Sequence, residues 1–360
     1  MKPASTLRRP AELADHNLIS REALPALEAV AARYAIAITP AVAALIDPND
    51  PDDPIAKQYV PTVQELQVQP MERADPIGDA ARSPVEGIVH RYPDRVLLKL
   101  VHVCAVYCRF CFRREMVGPG KETALSDHAY AKAIDYIRAH PEIWEVILTG
   151  GDPLMLSARR LKEIVGDLAA IPHVRIVRFH TRVPVADPAR VTDEVAEALR
   201  HPDVTTWVAL HANHPRELTA EARGACARLI DRGIPMVSQS VLLRGVNDTA
   251  ETLTALMRAF VECRIKPYYL HHGDLAPGTA HLRTTLEEGE KLIRQLRGHV
   301  SGLCQPDYVL DIPGGHGKIP VGPSYLSQQR DGEKMQPRRL VDYCGGVHSY
   351  PPQEYGRNES

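Results

Sequence analysis

From about residue 95 onward, the sequence alternates six times between a short apolar run and an amphipathic segment. Apolar runs rich in β-branched residues predict strands, whereas apolar residues at helical spacing predict helices. The predicted strands span residues 96–103, 145–149, 174–180, 204–211, 235–243 and 266–272. The predicted helices span residues 126–139, 157–169, 192–200, 219–232, 249–263 and 285–297. Helices between consecutive strands indicate parallel pairing, so we predict an α/β fold, better suited to a partial (β/α)6 TIM-like barrel than to a flat sheet.

Both ends of the chain differ from the alternating region. Residues 22–34 have helical spacing, but residues 47–54 (DPNDPDDP) exclude both a helix and a central strand. After the sixth predicted helix come a strand-like run at 308–312, a glycine-rich loop and a tail with little periodicity. We predict three parts: an N-terminal helical wrapping region (1–85), the barrel core (86–300) and a C-terminal segment with the tail (301–360).

The composition excludes several classes of protein. There are 43 lysines and arginines against 45 acidic residues, and a net charge of −2 argues against a nucleic-acid surface or a polybasic membrane anchor. No apolar run approaches the roughly 18 residues of a membrane span, and the start lacks a signal-peptide core. Seven cysteines, three of them close together, predict metal-binding thiols in a reducing compartment. We expect a cytoplasmic protein that binds neither nucleic acid nor membrane.

Polar residues gather at or just after the carboxyl ends of the predicted strands, and one of them, Gln239, lies within the fifth strand. They include Cys104, Cys108, Cys111, Gly150, Gly151, Asp152, His180, Arg182, His211, Asn213, Gln239, His271, His272, Asp274 and Asp311. The carboxyl ends of parallel barrel strands meet at one face, where active sites lie. We therefore expect these side chains to surround one pocket. The histidines at 180, 271 and 272 receive no role, because a single histidine at a strand end is more often part of the framework.

The strongest chemical signal is the run Cys104-Ala-Val-Tyr-Cys108-Arg-Phe-Cys111. Three thiolates at spacings of four and three residues can converge on one cluster from a single loop. A [4Fe-4S] cluster usually takes four cysteines, so three leave one iron open for a substrate or cofactor. The alternatives are a zinc site with a distant fourth ligand, although structural zinc usually has paired C-x2-C units, or three unrelated core cysteines.

This C-x3-C-x-aromatic-C run after a first barrel strand resembles the radical S-adenosylmethionine (SAM) superfamily, with Phe110 as the aromatic residue. The Gly-Gly-Asp stretch at 150–152 resembles that superfamily's glycine-rich motif. Three further stretches make the chain similar to the lysine 2,3-aminomutase family. They are HRYPDRV at 90–96, SQSVLLRGVND at 238–248 and DIPGGHGK at 311–318. The resemblance spans roughly residues 38–323 and implies a barrel of the radical SAM type.

The resemblance implies three cofactors and assigns residues to each. The [4Fe-4S] cluster would be held by Cys104, Cys108 and Cys111, and its open iron would chelate SAM. Further contacts to SAM are implied for Gly150, Gly151, Asp152, His211 and Gln239. Contacts to pyridoxal 5′-phosphate (PLP) are implied for Arg91, Tyr92 and Arg95. Lys318 would form a Schiff base with PLP, and the flexible Gly-Gly-His-Gly stretch before it would let its amine reach the pocket.

Two aspartates and one arginine indicate the substrate. Asp274 and Asp311 lie at the ends of the last two predicted strands, and two carboxylates facing one pocket would hold a cation. The alternative is that each caps a helix or a turn. The resemblance implies that they bind the ε-ammonium of lysine and that Arg113 grips its carboxylate. Glutamate-specific relatives lack anionic residues at the two aspartate positions, so the resemblance favours lysine.

The implied enzyme is an isomerase that moves the α-amino group of L-lysine to the β-carbon through a 5′-deoxyadenosyl radical. The implied partners are L-lysine and a reductant protein such as flavodoxin or ferredoxin, and a homo-oligomer stays open. Three alternatives remain. They are the same chemistry on another basic amino acid such as arginine or ornithine, β-lysine supply for elongation factor P modification, and a non-catalytic iron–sulfur protein.

One departure from the family pattern concerns zinc. The best-known lysine aminomutases build a zinc site from a cysteine-bearing tail and a cysteine in the loop after the fifth strand. Thr249 occupies that loop position here, and the tail holds only Cys344. We therefore predict that this zinc site is missing.

Overall fold

The computed structural model describes residues 3, 5–118, 123–326 and 338–350. Its centre is a nine-stranded sheet. The strands are β1 (Ile88–Tyr92), β2 (Arg95–Val101), β3 (Glu145–Gly150), β4 (Ile176–Thr181), β5 (Thr205–His211), β6 (Met236–Val241), β7 (Ile265–His271), β8 (Asp307–Ile312) and β9 (Gly317–Pro320). A separate two-stranded sheet contains β10 (Arg338–Val341) and β11 (Val347–Tyr350).

Strands β2 to β8 pair in chain order, and every pairing among them is parallel. The predicted series of six strand–helix units followed by one more strand is therefore confirmed. β1 and β9 flank this series as antiparallel edges, and the sequence analysis did not predict either of them. The two edge strands do not pair with each other, so the sheet is a partial barrel.

The described residues contain eleven α-helices, four of them before the barrel. They are α1 (Pro10–Asp15), α2 (Leu24–Arg33), α3 (Pro40–Ala43), α4 (Ala56–Tyr59), α5 (Asp127–Ala139), α6 (Ala158–Ala169), α7 (Val183–Ala186), α8 (Asp193–Ala198), α9 (Ala220–Ile230), α10 (Ala250–Glu262) and α11 (Leu286–Leu296). Helices α5, α6, α8, α9, α10 and α11 follow β2 to β7 in turn. Each lies within a few residues of its predicted bounds.

A hydroxyl side chain begins each of these six helices. Each hydroxyl accepts a hydrogen bond from the backbone N–H three residues further on, which satisfies a donor that the helix itself leaves free. The capping residues are Ser126, Ser157, Thr192, Thr219, Thr249 and Thr285. Thr285 and Glu288 form the capping box that their spacing predicts. The loop that follows each of the strands β2 to β7 therefore ends at a capping residue that the local sequence supplies.

The main hydrophobic core lies between the sheet and the outer helices. Leu98, Leu148 and Val177 on the strands are fully buried there, together with Leu161 of α6 and Leu256 of α10. Burial of such apolar surface stabilises the fold by roughly 25 cal/mol per Å². Because side chains alternate along a strand, the other strand residues face the barrel interior, where polar groups such as Arg178 and His180 lie beside apolar ones such as Leu97.

Residues 62–82 form an extended segment across the barrel mouth, which we call the strap. Its regular structure is limited to two 3₁₀ turns, Val63–Leu66 and Ala80–Arg82. The backbone N–H of Arg73 donates to Leu275 O at 2.9 Å, beyond the end of β7. Gly78 approaches Gly315 so closely that a Cβ at Gly78 would lie 2.5 Å from the Gly315 nitrogen. The strap therefore packs directly on the loops that carry the predicted site.

The described part of the C-terminal tail is more ordered than its sequence suggests. Residues 338–350 form the β10–β11 hairpin, while residues 327–337 and 351–360 lie outside the described residues. All four residues of β11 are exposed, so the strand has no buried face. Its sequence therefore lacks the apolar alternation from which a strand is predicted. Among the described residues, no helix has both the length and the apolar character that a membrane crossing needs.

Candidate active site

A cavity of about 530 Å³ lies inside the partial barrel. Its wall contains all fifteen residues that the sequence assigns to cofactors and substrate. They are Arg91, Tyr92, Arg95, Cys104, Cys108, Cys111, Arg113, Gly150, Gly151, Asp152, His211, Gln239, Asp274, Asp311 and Lys318. The structure therefore brings all fifteen residues together around one cavity. The role of each residue toward cofactor or substrate stays a prediction.

The loop after β2 carries the three cysteines. The backbone N–H of Cys111 donates to Cys108 O at 3.1 Å and turns the loop back on itself. Phe110 packs against Leu243 in a small apolar cluster at the loop. All three thiols are half-buried and free of disulfides. Burial raises the pKa of Cys104 and Cys108, and it raises the pKa of Cys111 to about 11.

This set of donors fits a [4Fe-4S] cluster better than a single zinc ion. Within the described ranges, no three His, Cys, Asp or Glu side chains are arranged to hold one metal ion. In a [4Fe-4S] cluster each cysteine binds a different iron, so the sulfurs stand further apart than around one ion. Three cysteines on one loop would hold three irons and leave the fourth open toward the cavity.

The Gly-Gly-Asp motif brings the end of β3 against the start of the cysteine loop. Gly151 N donates to Val101 O at 2.5 Å, and Asp152 N donates to Val103 O at 2.9 Å. A Cβ on Gly151 would lie only 2.2 Å from Val103 O. Glycine is therefore required for this backbone approach, independently of any contact with SAM.

The Asp152 carboxylate serves the framework in this structure. It accepts hydrogen bonds from Thr181 Oγ1 and from the backbone N–H of Arg182, both at 2.7 Å. It also accepts one from the backbone N–H of Leu154 at 3.0 Å. These contacts brace the end of β3 against the end of β4, and a contact of Asp152 with SAM stays a prediction.

His211 and Gln239 are register partners at the ends of β5 and β6. The Nε2 atom of His211 is buried and has no hydrogen-bond partner in the part of the chain that the structure describes. A buried polar atom without a partner costs about 1–3 kcal/mol, which a polar ligand would offset. Burial lowers the pKa of His211, so its imidazole is neutral. This wall fits a bound polar cofactor such as SAM.

Lys318 on β9 lies directly opposite Asp311 on β8. The intervening stretch, expected to be flexible, is a tight turn with Gly314 and Gly315 at φ values of +88° and +83°. Only glycine adopts such values readily, so the motif folds the lysine back into the cavity. There its Nζ forms an ion pair with the Asp311 carboxylate. The backbone N–H of Lys318 also donates to the Tyr92 hydroxyl at 2.7 Å.

The two aspartates differ in their surroundings. Burial acts to raise the pKa of Asp311, but a hydrogen bond from His271 and the charge of Lys318 hold that pKa below its usual range. Asp274 lies beyond β7, and its carboxylate has no hydrogen bond or ion pair with the other described side chains. Burial and the negative charge of Asp311 raise the pKa of Asp274 to about 7. A free carboxylate next to one that already binds an ammonium group can accept a cationic ligand.

Asp79 of the strap links two arginines that the sequence assigns to different ligands. Its Oδ2 accepts a hydrogen bond from Arg113 Nη2 at 2.9 Å, and its Oδ1 accepts one from Arg91 Nη2 at 3.0 Å. Arg113 Nη1 also lies 3.4 Å from Thr149 Oγ1. The sequence analysis missed Asp79, because it stands outside any motif in a segment without periodicity. The structure therefore adds a residue that orients both guanidinium groups.

The hairpin of β1 and β2 places two arginines in the cavity wall that also contains Lys318. The Arg95 guanidinium lies 3.9 Å from the centroid of the Tyr92 ring. Arg91 Nη1 is 3.6 Å from Asp311, the residue that pairs with the lysine. Guanidinium groups bind phosphate through paired N–H donors. This geometry supports the predicted site for the PLP phosphate.

A buried carboxylate anchors the cysteine loop. Glu65 of the strap accepts hydrogen bonds from Arg109 Nε at 3.0 Å and pairs with Arg114. All three side chains are buried. Burial acts to raise the pKa of Glu65, yet the two guanidinium groups bring that pKa below its ordinary value. One anion therefore holds the chain on both sides of Cys111.

Glu65→Ala is expected to destabilise the protein by about 3–5 kcal/mol, because two buried guanidinium groups lose their counterion. Urea denaturation of the cofactor-free chain measures the free energy of unfolding. Glu163→Ala is the matched control, since Glu163 pairs with the exposed Arg159 on a helix surface. That control should change the stability by less than about 1 kcal/mol. Equal effects of the two substitutions would contradict the anchoring role of Glu65.

Two family profiles match the chain. The profile described as Radical SAM superfamily covers residues 98–257, from β2 to the middle of α10. The profile described as Lysine-2,3-aminomutase covers residues 293–360, which include the Lys318 hairpin. The partial barrel, the cysteine loop and the first profile define a radical SAM enzyme, a class that carries a [4Fe-4S] cluster and SAM.

Curated relatives are similar over most of the chain. The L-lysine 2,3-aminomutase of Clostridium subterminale is 46% identical over 299 residues, which cover 82% of this chain and 71% of that protein. That of Fusobacterium nucleatum is 42% identical and covers 89% and 74%. The glutamate 2,3-aminomutase of Clostridioides difficile is 38% identical and covers 83% and 70%. The chain therefore belongs to the lysine 2,3-aminomutase family, a family of isomerases.

Proposed function

We propose that the chain converts L-lysine to β-lysine by moving the α-amino group to the β-carbon. The observation that carries this proposal is the single cavity that combines the cysteine loop, the Lys318 hairpin and the acidic pair of Asp274 and Asp311. Family membership supports the radical chemistry, and the acidic pair supports the choice of substrate. PLP is proposed as the third cofactor because Lys318 and the β1–β2 arginines suit its aldehyde and its phosphate.

The acidic pair suits the ε-ammonium group of lysine. Asp311 already binds one ammonium group in the structure, that of Lys318. When Lys318 leaves Asp311 to hold PLP, both carboxylates become available to a cationic side chain. Asp274 needs such a partner, since ionisation of a buried carboxylate is favoured by a nearby positive charge.

The same pair disfavours glutamate. The glutamate 2,3-aminomutase among the relatives is 38% identical, so overall similarity does not separate the two substrates. A glutamate side chain in this cavity would place a third carboxylate beside Asp274 and Asp311. Like charges in a poorly screened cavity repel strongly, so the charge of the pocket selects against that substrate.

The remaining residues would hold the substrate and keep water away. When bound, the cluster and SAM supply a 5′-deoxyadenosyl radical, and PLP supplies a conjugated ring that delocalises an unpaired electron. Arg113, oriented by Asp79, would grip the substrate carboxylate in a two-point fork while the acidic pair holds the other end. Fixing both ends places the β-carbon for reaction. The strap and the sheet exclude water, which would otherwise allow side reactions of a radical.

The affinity for L-lysine is expected to rise with pH through about 7. The pKa of Asp274 is raised to about 7, so its anionic form, which attracts an ammonium group, predominates only at higher pH. Between pH 6 and pH 8 the anionic fraction of such a group rises about tenfold, and KM for L-lysine should fall by a similar factor. Asp274→Asn should raise KM and remove this dependence. An unchanged pH profile of KM in Asp274→Asn would contradict the role of Asp274.

A second candidate is the same chemistry on another basic amino acid, because two carboxylates tolerate any cationic side chain. A panel of L-lysine, L-ornithine, L-arginine and L-glutamate tests the choice, with β-amino acid products detected by chromatography and mass spectrometry. We expect the highest kcat/KM with L-lysine and no product from L-glutamate. Turnover of L-glutamate comparable to that of L-lysine would contradict the proposed specificity.

Four further points belong to the proposal. A low-potential protein such as flavodoxin or ferredoxin would supply the electron, since a [4Fe-4S] cluster accepts one electron at a time. The predicted division into residues 1–85, 86–300 and 301–360, a cytoplasmic location and a homo-oligomer stay predictions.

A further inference from the structure

Arg182 lies directly after β4, and the proposed reaction gives it no role. Its Nη1 donates a hydrogen bond to the Sγ atom of Cys108 at 3.2 Å. The side chain is only 6% exposed, so water screens its charge weakly. The guanidinium group also lies 5.4 Å from the ring centroid of Phe110, within the cysteine loop. A permanent positive charge is therefore in contact with one predicted ligand of the cluster.

A buried network holds this guanidinium group in place. Its Nη2 donates to Gln58 Oε1 and to Glu217 Oε2, both at 2.5 Å. The Glu217 carboxylate is itself fixed by the backbone N–H of Asn213 at 2.8 Å. The backbone N–H of Arg182 is bound to Asp152 at 2.7 Å. Both terminal nitrogens of the guanidinium group therefore have buried partners, and these contacts hold Arg182 beside Cys108.

A donor in this position acts on the redox equilibrium of an iron–sulfur cluster. Reduction adds one electron from a low-potential protein donor, and no bond forms or breaks. Hydrogen bonds to the sulfurs and local charge set the reduction potential of such clusters. A cation beside Cys108 stabilises the more negative, reduced state, whereas the Glu217 carboxylate behind it opposes that effect.

We infer that Arg182 raises the reduction potential of the cluster through its hydrogen bond to Cys108, and that Glu217 limits the rise. The inference rests on the proposed function, because it requires Cys108 to be a cluster ligand. Arg182 is a positioning residue in this role, since it acts on the cluster through the Cys108 sulfur.

The test is a potentiometric titration of the reconstituted holoenzyme, with the reduced cluster followed by electron paramagnetic resonance. Arg182→Gln should lower the ratio of reduced to oxidised cluster about tenfold at a fixed ambient potential, which corresponds to a shift of about 59 mV for one electron. Glu217→Gln should shift the potential in the opposite direction. Arg228→Gln is the matched control, since that arginine pairs with Asp193 on the surface of α9 and should leave the potential unchanged.

The double variant Arg182→Gln/Glu217→Gln covers the case in which a single substitution prevents folding. This variant removes both charges of the Arg182–Glu217 pair, so neither is left unpaired. Its cluster should still have a lower reduction potential than the wild-type cluster, because the lost cation is closer to the Cys108 sulfur than the lost carboxylate is. An unchanged potential in Arg182→Gln or in the double variant would overturn the inference, as would shifts of the same sign in Arg182→Gln and Glu217→Gln. A wild-type chain that assembles no iron–sulfur cluster would instead overturn the proposed function.

Discussion

Lys318→Ala is expected to abolish β-lysine formation, with a loss in kcat of more than about 10³-fold. The substitution removes the amine that the β8–β9 hairpin presents to the cavity, and with it the covalent attachment of PLP. The chain should also lose bound PLP during gel filtration, which the visible absorbance of the eluted protein reports. SAM binding should survive, because its predicted contacts lie on β3, β5 and β6.

Lys318→Arg separates the covalent role of the lysine from its charge. Arginine keeps a positive group opposite Asp311, so that carboxylate keeps an ion-pair partner as in the wild type. An arginine cannot replace the lysine amine in bonding to an aldehyde, so activity should be lost as completely as in Lys318→Ala. Lys291→Ala, at an exposed position of α11, is the control for a lost lysine. Wild-type turnover in either Lys318 variant would contradict this assignment.

Cys108→Ala is expected to lose β-lysine formation to the same extent for a different reason. With two cysteines left on the loop, a [4Fe-4S] cluster lacks a second protein ligand and does not persist. Iron content and SAM cleavage should both fall to background, whereas PLP binding should remain. Cys344→Ala is the matched control, because Cys344 is exposed beyond β10. Retention of stoichiometric iron and SAM cleavage in Cys108→Ala would contradict the cluster assignment.

The barrel was predictable because its sequence signals are local and repeated. β-branched runs give the strands, and a hydroxyl residue such as Ser126 or Thr285 begins each crossover helix. Parallel pairing then follows from the crossover helices, and the fold collects the polar strand ends around one cavity. The cysteine loop and the Lys318 hairpin were predictable for the same reason, since each is a short contiguous motif.

Two kinds of feature escaped prediction. β1 and β9 are short edge strands that form hairpins with the adjacent strand in the chain, and neither has an alternating apolar pattern of its own. The other features depend on contacts between distant parts of the chain. Asp79 and Glu65 lie in the strap, where the sequence shows no periodicity, yet each binds arginines more than 10 positions away in the chain. Arg182 reaches Cys108 only because β4 ends beside the cysteine loop. Such contacts form only once the chain has folded, so residue spacing in the sequence does not predict them.

The central claim is that this one cavity turns L-lysine into β-lysine. The direct measurement uses anaerobically purified chain reconstituted with iron, sulfide and PLP, then supplied with SAM, dithionite and L-lysine. Chromatography with mass spectrometry should show β-lysine from the wild type and none from Lys318→Ala or Cys108→Ala. Cleavage of SAM without any β-lysine from a fully loaded wild-type enzyme would contradict the claim.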